Sequence, residues 1–362
     1  MANPSLLAGL FITLLATTLL PEKAQSQDEV KWAKRIETGK EVITTLQFYF
    51  HDVVSGDSPT AIKIAQASNG TSLSLFGNLL MVDDALTVGP DPKSKVIGRA
   101  RGMYGSASQS VLDMGLIMVM GYVFTDGIYD GSSFSLLSIN PALHRVREMA
   151  IVGGTGLFRL ARGYAIAQTY WFDTSGDAIV HYNLLIMITL MSTTSMPCAQ
   201  AQNESWARRT DTRNEVVTTL QFYFHDILSG RNPTAVQIVP PSRSSTTSFG
   251  LLNMVDDPLT IGPDPNSKLV GRARGMYGSA GQTDFGLIMV MSFVFTDGIY
   301  DGSSFSLLSI NPAGDPVREM AIVGGTGLFR LARGYAIATT YSFDGNTGDA
   351  VVGYNVTLAT YI

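Results

Sequence analysis

The chain contains two copies of one sequence pattern. The segment FYFHD begins at Phe48 and again at Phe222, and GRARGMYG begins at Gly98 and again at Gly271. The spacing between the copies changes by single residues from motif to motif, which indicates that the insertions lie in loops. Because this period far exceeds the ~50 residues of a solenoid repeat, we expect the 362 residues to form two tandem domains of the same fold.

Each copy alternates apolar and polar residues in short runs separated by Gly, Pro, Asp and Ser, a pattern typical of β-strands joined by turns. In TTLQFYFHD, Phe48 and Phe50 share one strand face with Asp52. The other strands predicted in the first copy are 75–83, 96–104, 116–125, 132–139, 147–152, 158–172 and 178–187. About eight antiparallel strands avoid open edges by closing, so we predict an all-β chain of two tandem eight-stranded antiparallel β-barrels, each with a small-ligand cavity. A β-sandwich is the alternative.

The composition argues against several functional classes. A formal net charge of −5 disfavours a nucleic-acid partner, because phosphate contacts need clustered Lys and Arg. No run of like charge suggests a membrane-binding surface. The one cysteine, Cys198, excludes an intramolecular disulfide, and no Cys/His spacing is typical of a zinc site. We therefore expect neither a metal nor another cofactor.

Residues 1–26 are expected to be a signal peptide. Residues 6–20 form an apolar run too short to favour a spanning helix, and Ala24 and Ser26 suit cleavage after Ser26. A membrane anchor is the competing interpretation, and secretion is favoured. Sequons for N-glycosylation, which accompanies secretion, occur at Asn69, Asn203 and Asn355.

The middle of the chain repeats this leader pattern. Residues 188–202 match residues 12–27 with one deletion, which we interpret as the relic of a second signal peptide after fusion of two coding units. An ordinary apolar strand followed by a linker is the alternative. The expected organisation is a first barrel over 41–190, a linker over 188–214 and a second barrel over 215–362.

Three ordered motifs in each copy resemble the plant dirigent protein family. In the first copy these are FYFHD, VDDALTVGPDPKSKVIGRARGMYG and REMAIVGGTGLFRLARGYA, and the similarity covers almost the whole copy. The resemblance implies a dirigent, allene-oxide-cyclase-like barrel that forms homo-oligomers and is secreted to the apoplast of the plant cell wall. It also implies stereochemical control of phenoxy-radical coupling or quinone-methide chemistry on a phenolic, monolignol-like molecule. A separate laccase or peroxidase would make the radical, so the barrel itself needs no redox centre.

Aspartates are the first candidates for catalysis. Asp52, and Asp226 in the second copy, end an apolar strand face, where burial would raise the carboxyl pKa and allow proton donation. A role in organising the following turn is the alternative, and the family resemblance favours the catalytic role. Asp83 and its counterpart Asp256 are also assigned as catalytic, with their neighbours Asp84 and Asp257 expected to brace a turn.

One arginine in each copy is a further catalytic candidate. Arg162 alternates with apolar residues in FRLARGYAIA, and Arg333 is its counterpart. An arginine on an apolar face needs an acid or an anionic ligand, so we expect it to pair with a carboxylate or a phenolate. A structural buried ion pair is an equally good explanation.

Aromatic and basic residues of the same strands are predicted to contact the substrate. They are Tyr104, Phe50 and Arg101 in the first copy, and Tyr277, Phe224 and Arg274 in the second. The copies depart from lignan-forming members of the family, which carry an acid directly after GGTG where this chain has Leu157 and Leu328. The resemblance therefore leaves the substrate open.

The leading hypothesis is a secreted stereo-directing barrel of phenylpropanoid (lignan- or lignin-type) biosynthesis, acting as an auxiliary or isomerase-like protein. The alternative is a non-catalytic barrel that binds a small molecule or serves in cell-wall defence. A cell-wall scaffold is a third possibility, favoured if side chains fill both barrels.

Overall fold

The computed structural model describes residues 33–37, 41–66, 76–107, 114–189, 203–204, 207–211, 215–242 and 245–361. The strands of the first half are β1 (Ala33–Glu37), β2 (Glu41–Asp52), β3 (Ala61–Ala65), β4 (Leu79–Thr87), β5 (Val96–Ser106), β6 (Gly115–Phe124), β7 (Ser133–Pro141), β8 (Val146–Thr155), β9 (Arg162–Phe172) and β10 (Ala178–Thr189). Those of the second are β11 (Asn203–Glu204), β12 (Ala207–Asp211), β13 (Glu215–Asp226), β14 (Ala235–Val239), β15 (Leu252–Thr260), β16 (Leu269–Ser279), β17 (Gly286–Phe295), β18 (Ser304–Pro312), β19 (Val317–Thr326), β20 (Arg333–Phe343) and β21 (Ala350–Tyr361). Short 3₁₀ turns occupy Gly127–Tyr129, Gly156–Phe158, Gly298–Tyr300 and Gly327–Phe329.

Each half closes into an antiparallel barrel. In the first, the order β2-β10-β9-β8-β7-β6-β5-β4 is closed by pairing of β4 with β2 at Tyr49–Thr87 and Phe50–Leu86. The second half repeats this order from β13 to β15 and closes between those two strands. The prediction of two tandem eight-stranded barrels is confirmed. Closure satisfies the backbone donors and acceptors that an open sheet edge would expose.

Two predicted strands differ most from those observed. The predicted strand 75–83 is β4, which starts at Leu79 and runs through the supposed turn to Thr87. The predicted strand 158–172 begins only at Arg162, because a 3₁₀ turn precedes it. That turn needs glycine at Gly156, which has φ +57° and lies so close to Ser132 that a Cβ would be 2.6 Å from its Oγ.

The predicted leader 1–26 lies outside the described residues, as does most of its internal copy. Within the predicted linker, β12 pairs with β13 and β11 pairs with β12, while β10 continues to Thr189. In the parts of the chain that are described, no helix is both long and apolar enough to span a bilayer.

The inside of each barrel is an aromatic core. Phe48 stacks on Tyr182 with ring centroids 5.5 Å apart, and Tyr122 stacks on Phe134 at 4.7 Å. Phe158, from the 3₁₀ turn between β8 and β9, is fully buried beside Tyr129 and closes the end of the barrel at that turn. Each buried aromatic ring contributes about 2 kcal/mol to folding through the hydrophobic effect.

The two barrels pack against each other through unlike faces. Met81 and Met103 of the first barrel join a buried cluster with Ile288, Leu308 and Ile310 of the second. The Ser135 hydroxyl donates a hydrogen bond to the Leu308 carbonyl oxygen at 2.6 Å. The interface also includes β6–β8 of the first barrel and β19 of the second. The contact is heterologous, because the residues that meet are not equivalent in the two barrels: a Cβ at Gly153 would lie 3.0 Å from Val323, whereas nothing lies within 4 Å of a Cβ at the equivalent Gly324.

Candidate functional site

An aspartate and a tyrosine form the same contact inside both barrels. The Tyr104 hydroxyl donates a hydrogen bond to Asp52 Oδ2 at 2.8 Å, and Tyr277 does the same to Asp226 Oδ2 at 2.8 Å. The second carboxylate oxygen, Oδ1, is buried in each case and has no partner among the described residues. Asp52 ends β2, so strand alternation after Phe48 and Phe50 directs it inward, as predicted.

A second carboxylate faces the inside from β4. Asp84 alternates with Val82 and Leu86, which belong to the inner core, and it is fully buried. The Thr60 hydroxyl donates to Asp84 Oδ1, and Oδ2 has no partner within the described part of the chain. In the second barrel Asp257 repeats this arrangement with Thr234.

Burial shifts the ionisation of these acids. Loss of hydration raises the pKa of Asp52. Loss of hydration and the nearby charge of Asp52 together raise the pKa of Asp84 well above its ordinary range. In the second barrel burial raises the pKa of Asp226 to about 6 and that of Asp257 to about 8. At neutral pH, Asp257 therefore holds a proton beside a largely ionised Asp226. The pair thus combines a carboxyl that is able to donate a proton with a carboxylate that is able to accept one.

An arginine and an asparagine complete the polar part of the inner face. Arg147 alternates with the core residues Met149 and Ile151 on β8, and its guanidinium donates to the His144 carbonyl and the Thr169 hydroxyl. Its Nε is buried and has no hydrogen-bond partner in the described structure. The second barrel places Arg318 in the same way. The buried amides of Asn140 and Asn311 each keep an Oδ1 that accepts no hydrogen bond from a described group.

The polar groups lie at one end of each barrel. Asp52 is the last residue of β2, and Asp177 in the β9–β10 turn accepts hydrogen bonds from Val54 and Ser55 at the same end. Asp52 and Leu80 keep partial exposure there. The opposite end is closed by the aromatic residues around Phe158. The inner face is therefore ionisable where it meets solvent and aromatic further inside.

Asp83 and Asp256 lie on the outer face, which corrects their expected position. Asp83 alternates with Met81, and its carboxylate binds Arg99 and Arg101. Asp256 pairs with half-buried Arg272 and exposed Arg274. The cause is the strand alternation, which turns the second residue of each Asp-Asp pair inward.

The predicted site arginines also lie on the outer face. Arg162 donates to the Val152 carbonyl of its own barrel and to the Val323 carbonyl of the second barrel at 3.2 Å. Inner positions of β9 belong instead to Ala165 and Ala167. Arg333 shares the outer orientation, and the predicted substrate contacts Arg101 and Arg274 alternate with the inner alanines Ala100 and Ala273. Alternation within VREMAIV is the signal that would have identified Arg147 as the inner arginine.

The remaining predicted residues divide as follows. Phe50 and Phe224 belong to the inner cores, with Tyr104 and Tyr277. Asn69 lies outside the described residues, Asn203 lies in β11, and Asn355 is exposed within β21. In the portions that the structure describes, no three His, Cys, Asp or Glu side chains are grouped as metal ligands.

The chain is similar to a known protein family and to solved structures. A family model described as "Dirigent-like protein" matches residues 43–187 and 217–359. Dirigent protein 23 of Arabidopsis thaliana is 53% identical over 190 residues, which are 52% of this chain and 100% of that protein. Pterocarpan synthase 1 of Glycine max is 50% identical over 152 residues, 41% of this chain and 82% of the relative. The solved pterocarpan synthase dirigent protein GePTS1 is 48% identical, with 42% of this chain and 88% of that one covered and a TM-score of 0.39.

Proposed function

Because the chain belongs to the dirigent-like protein family, we propose that each barrel imposes stereochemistry on the coupling or ring closure of a phenolic phenylpropanoid. The observation that carries this proposal is the buried acid pair in each barrel, Asp52 with Asp84 and Asp226 with Asp257. Each pair presents carboxylate oxygens inward that the described protein does not satisfy. Such oxygens are costly to bury unless a guest molecule or water engages them.

The acid pair suits closure of a quinone methide. The protonated carboxyl, Asp84 or Asp257, gives its proton to the quinone-methide oxygen, which becomes a phenol. A hydroxyl of the same guest forms a C–O bond to the methide carbon and gives its proton to Asp52 or Asp226. The product is an isomer of the guest, and the inner wall selects the attacked face. Where the guest is a phenoxy radical, a separate laccase or peroxidase makes it, and the wall orients the partners.

The proposal is tested by chiral analysis of coupling products. The full chain is incubated with a panel of phenols and an external one-electron oxidant, and with quinone methides generated in solution. We expect an enantiomeric excess with at least one substrate. Asp84→Asn is used to inactivate the first barrel. In that background, Asp257→Asn is expected to abolish the enantiomeric excess, whereas Asp256→Asn on the outer face is expected to leave it unchanged.

Ligand binding by the same variants separates catalysis from simple binding. Because Asn preserves the shape of Asp, we expect the affinity for phenols to persist in Asp257→Asn while the excess disappears. Binding without stereoselectivity for every substrate would favour the non-catalytic binding or defence barrel. Racemic products together with no binding would refute the ligand-site proposal.

We also propose that the chain is secreted, with glycosylation of the sequon asparagines. Support comes from the apolar leader, its internal copy and the sequons at Asn69 and Asn203. Expression in plant cells followed by mass spectrometry of the medium tests this. Cleavage at the internal leader predicts two products of similar size, the second beginning near Gln202, whereas an intact chain rejects that cleavage.

The heterologous contact between the barrels supports a proposal of self-association. In this contact, Met81 of the first barrel is buried against the second barrel, and the partly buried Ile62 and Ile64 pack beside it. Their counterparts in the second barrel, Val236, Ile238 and Met254, are exposed. The second barrel therefore presents a copy of a surface that already binds a barrel of this fold.

The first barrel presents the complementary surface. Leu308 and Ile310 of the second barrel are buried in the contact, and the equivalent Leu137 and Ile139 are exposed. We propose that the exposed face of the second barrel, with Met254, binds the exposed face of the first barrel, with Leu137 and Ile139, in a second copy of this chain. Light scattering is expected to give a mass above one chain, reduced by Met254→Glu. A single-chain mass at all concentrations would contradict this.

A further inference from the structure

The inner faces of the two barrels differ at a position beside the acid pair. Leu80 in the first barrel is replaced by Asn253 in the second, and each stands opposite the site tyrosine on the neighbouring strand, Tyr104 or Tyr277. Deeper inside, Tyr122 hydrogen-bonds to Tyr182 at 3.3 Å, and the second barrel has Phe293 in place of Tyr122. The hydrogen-bonding groups of the two interiors are thus placed differently.

Asn253 is a buried amide directed inward. It is 2% exposed and lies on the same face of β15 as Val255 and Asp257. Its side chain hydrogen-bonds to Tyr277, which in turn donates to Asp226. The amide oxygen, Oδ1, has no partner among the described residues.

Three oxygens of Asn253 and the acid pair are buried in the second barrel and form no hydrogen bond to a described protein group. They are Asn253 Oδ1, Asp226 Oδ1 and Asp257 Oδ2. The raised pKa of Asp257 keeps a proton on its carboxyl at neutral pH, so Asn253 and Asp226 are the acceptors of this set. At the equivalent positions the first barrel has two such oxygens, on Asp52 and Asp84, and the apolar Leu80 side chain. A hydroxyl on the guest satisfies Asn253, while a methyl ether leaves its oxygen buried without a donor.

We propose that Asn253 determines specificity in the second barrel by accepting a hydrogen bond from an additional hydroxyl of a catechol-type phenol. Leu80 gives the first barrel a preference for the corresponding O-methylated phenol through apolar contact. This inference rests on the proposed use of the barrel interior as the ligand site. The chain would then handle two substitution patterns in one molecule.

The two interiors can be observed separately by NMR. Methionine methyl groups line both cores, Met118 and Met120 in the first barrel and Met289 and Met291 in the second. The full chain, labelled with ¹³C at methionine methyls, is titrated with 4-propylcatechol and with 4-propylguaiacol, its methyl ether. We expect the catechol to bind the second barrel about tenfold more tightly than the ether, the effect of one buried hydrogen bond.

Exchange of the two residues is the decisive comparison. Asn253→Leu should remove the catechol preference in the second barrel alone, and Leu80→Asn should create it in the first. Each substitution introduces the side chain that the sister barrel already accommodates, and Asn253→Ala is a smaller second variant. Equal preferences in both barrels, or a preference unchanged by Asn253→Leu, would overturn the role of Asn253 while leaving the binding site intact. Absence of methionine shifts in both barrels would overturn the proposed function as well.

Discussion

Arg101 of the first barrel forms an ion pair with Asp284 of the second, with 2.8 Å between Nη2 and Oδ2. The identical motif of the second barrel places Arg274 at the equivalent position, where its side chain is 58% exposed and binds Asp256 of its own barrel. The same motif therefore lies in a buried interface in the first barrel and is exposed to solvent in the second. Paired substitutions in the two copies therefore separate interface effects from effects on the barrel itself.

Arg101→Ala is expected to lower the free energy of unfolding by about 2 kcal/mol, because buried Asp83 loses one of its two arginine partners and Asp284 loses its own. Arg274→Ala removes an exposed contact and should change it by less than about 0.5 kcal/mol. Urea denaturation of both variants measures the difference. Equal effects would show that the barrel contact does not contribute.

Gly121→Ser should weaken the packing of the two barrels. A Cβ at Gly121 would lie 2.6 Å from Ile310 Cγ1 of the second barrel, whereas serine is native at the equivalent Ser292. We expect a loss of about 1–3 kcal/mol in the free energy of unfolding. Ile310→Ala should suppress the additional loss in a double-mutant cycle, and additive effects would contradict the proposed steric cause.

The stability of the second barrel should depend on pH through Asp257. Its folded pKa is about 8, above the unfolded value of about 4, so the native state keeps the proton that the unfolded chain releases between these pH values. Raising the pH through this window therefore destabilises the native state. Asp257→Asn removes this dependence, and its unfolding free energy relative to the wild type should rise from pH 4 to pH 8. Asp256→Asn, on the outer face, should show no such rise in urea titrations.

Tyr277→Phe should raise the pKa of Asp226 above its value of about 6. Burial raises this pKa, and the Tyr277 hydroxyl opposes that effect by donating to the carboxylate. Loss of the donor should shift the titration upward by about one pH unit. Carboxyl ¹³C NMR records the change, with the exposed Tyr341→Phe as the matched control. An unchanged titration would mean that the hydroxyl does not stabilise the charged form.

Much of the site could be predicted from the alternation of strand residues alone. The inward direction of Phe48, Phe50 and Asp52 follows from their spacing on one uninterrupted strand. Placement failed at Asp83 because both faces of β4 carry apolar residues, and the face with Met81 packs against the second barrel and not inside the first. It failed at Arg162 because Phe158 lies in a 3₁₀ turn, so alternation counted from Phe158 does not continue into β9. A strand has only two faces, so assigning the inner face to the wrong alternate set moves every side chain of that set to the other side.

The duplicated motifs and their period-two pattern determined that this chain would build two tandem antiparallel β domains with aspartates among the apolar strand residues, and they favoured a closed barrel over a sandwich. Tertiary structure alone decided that Asp84 and Arg147, not Asp83 and Arg162, enter the interior. It also decided which copy of each surface is buried. The two copies have nearly identical sequences, so the sequence of a surface does not decide whether that surface is buried or exposed. A heterologous contact joins two different faces, one from each barrel, and leaves the second copy of each face outside the contact.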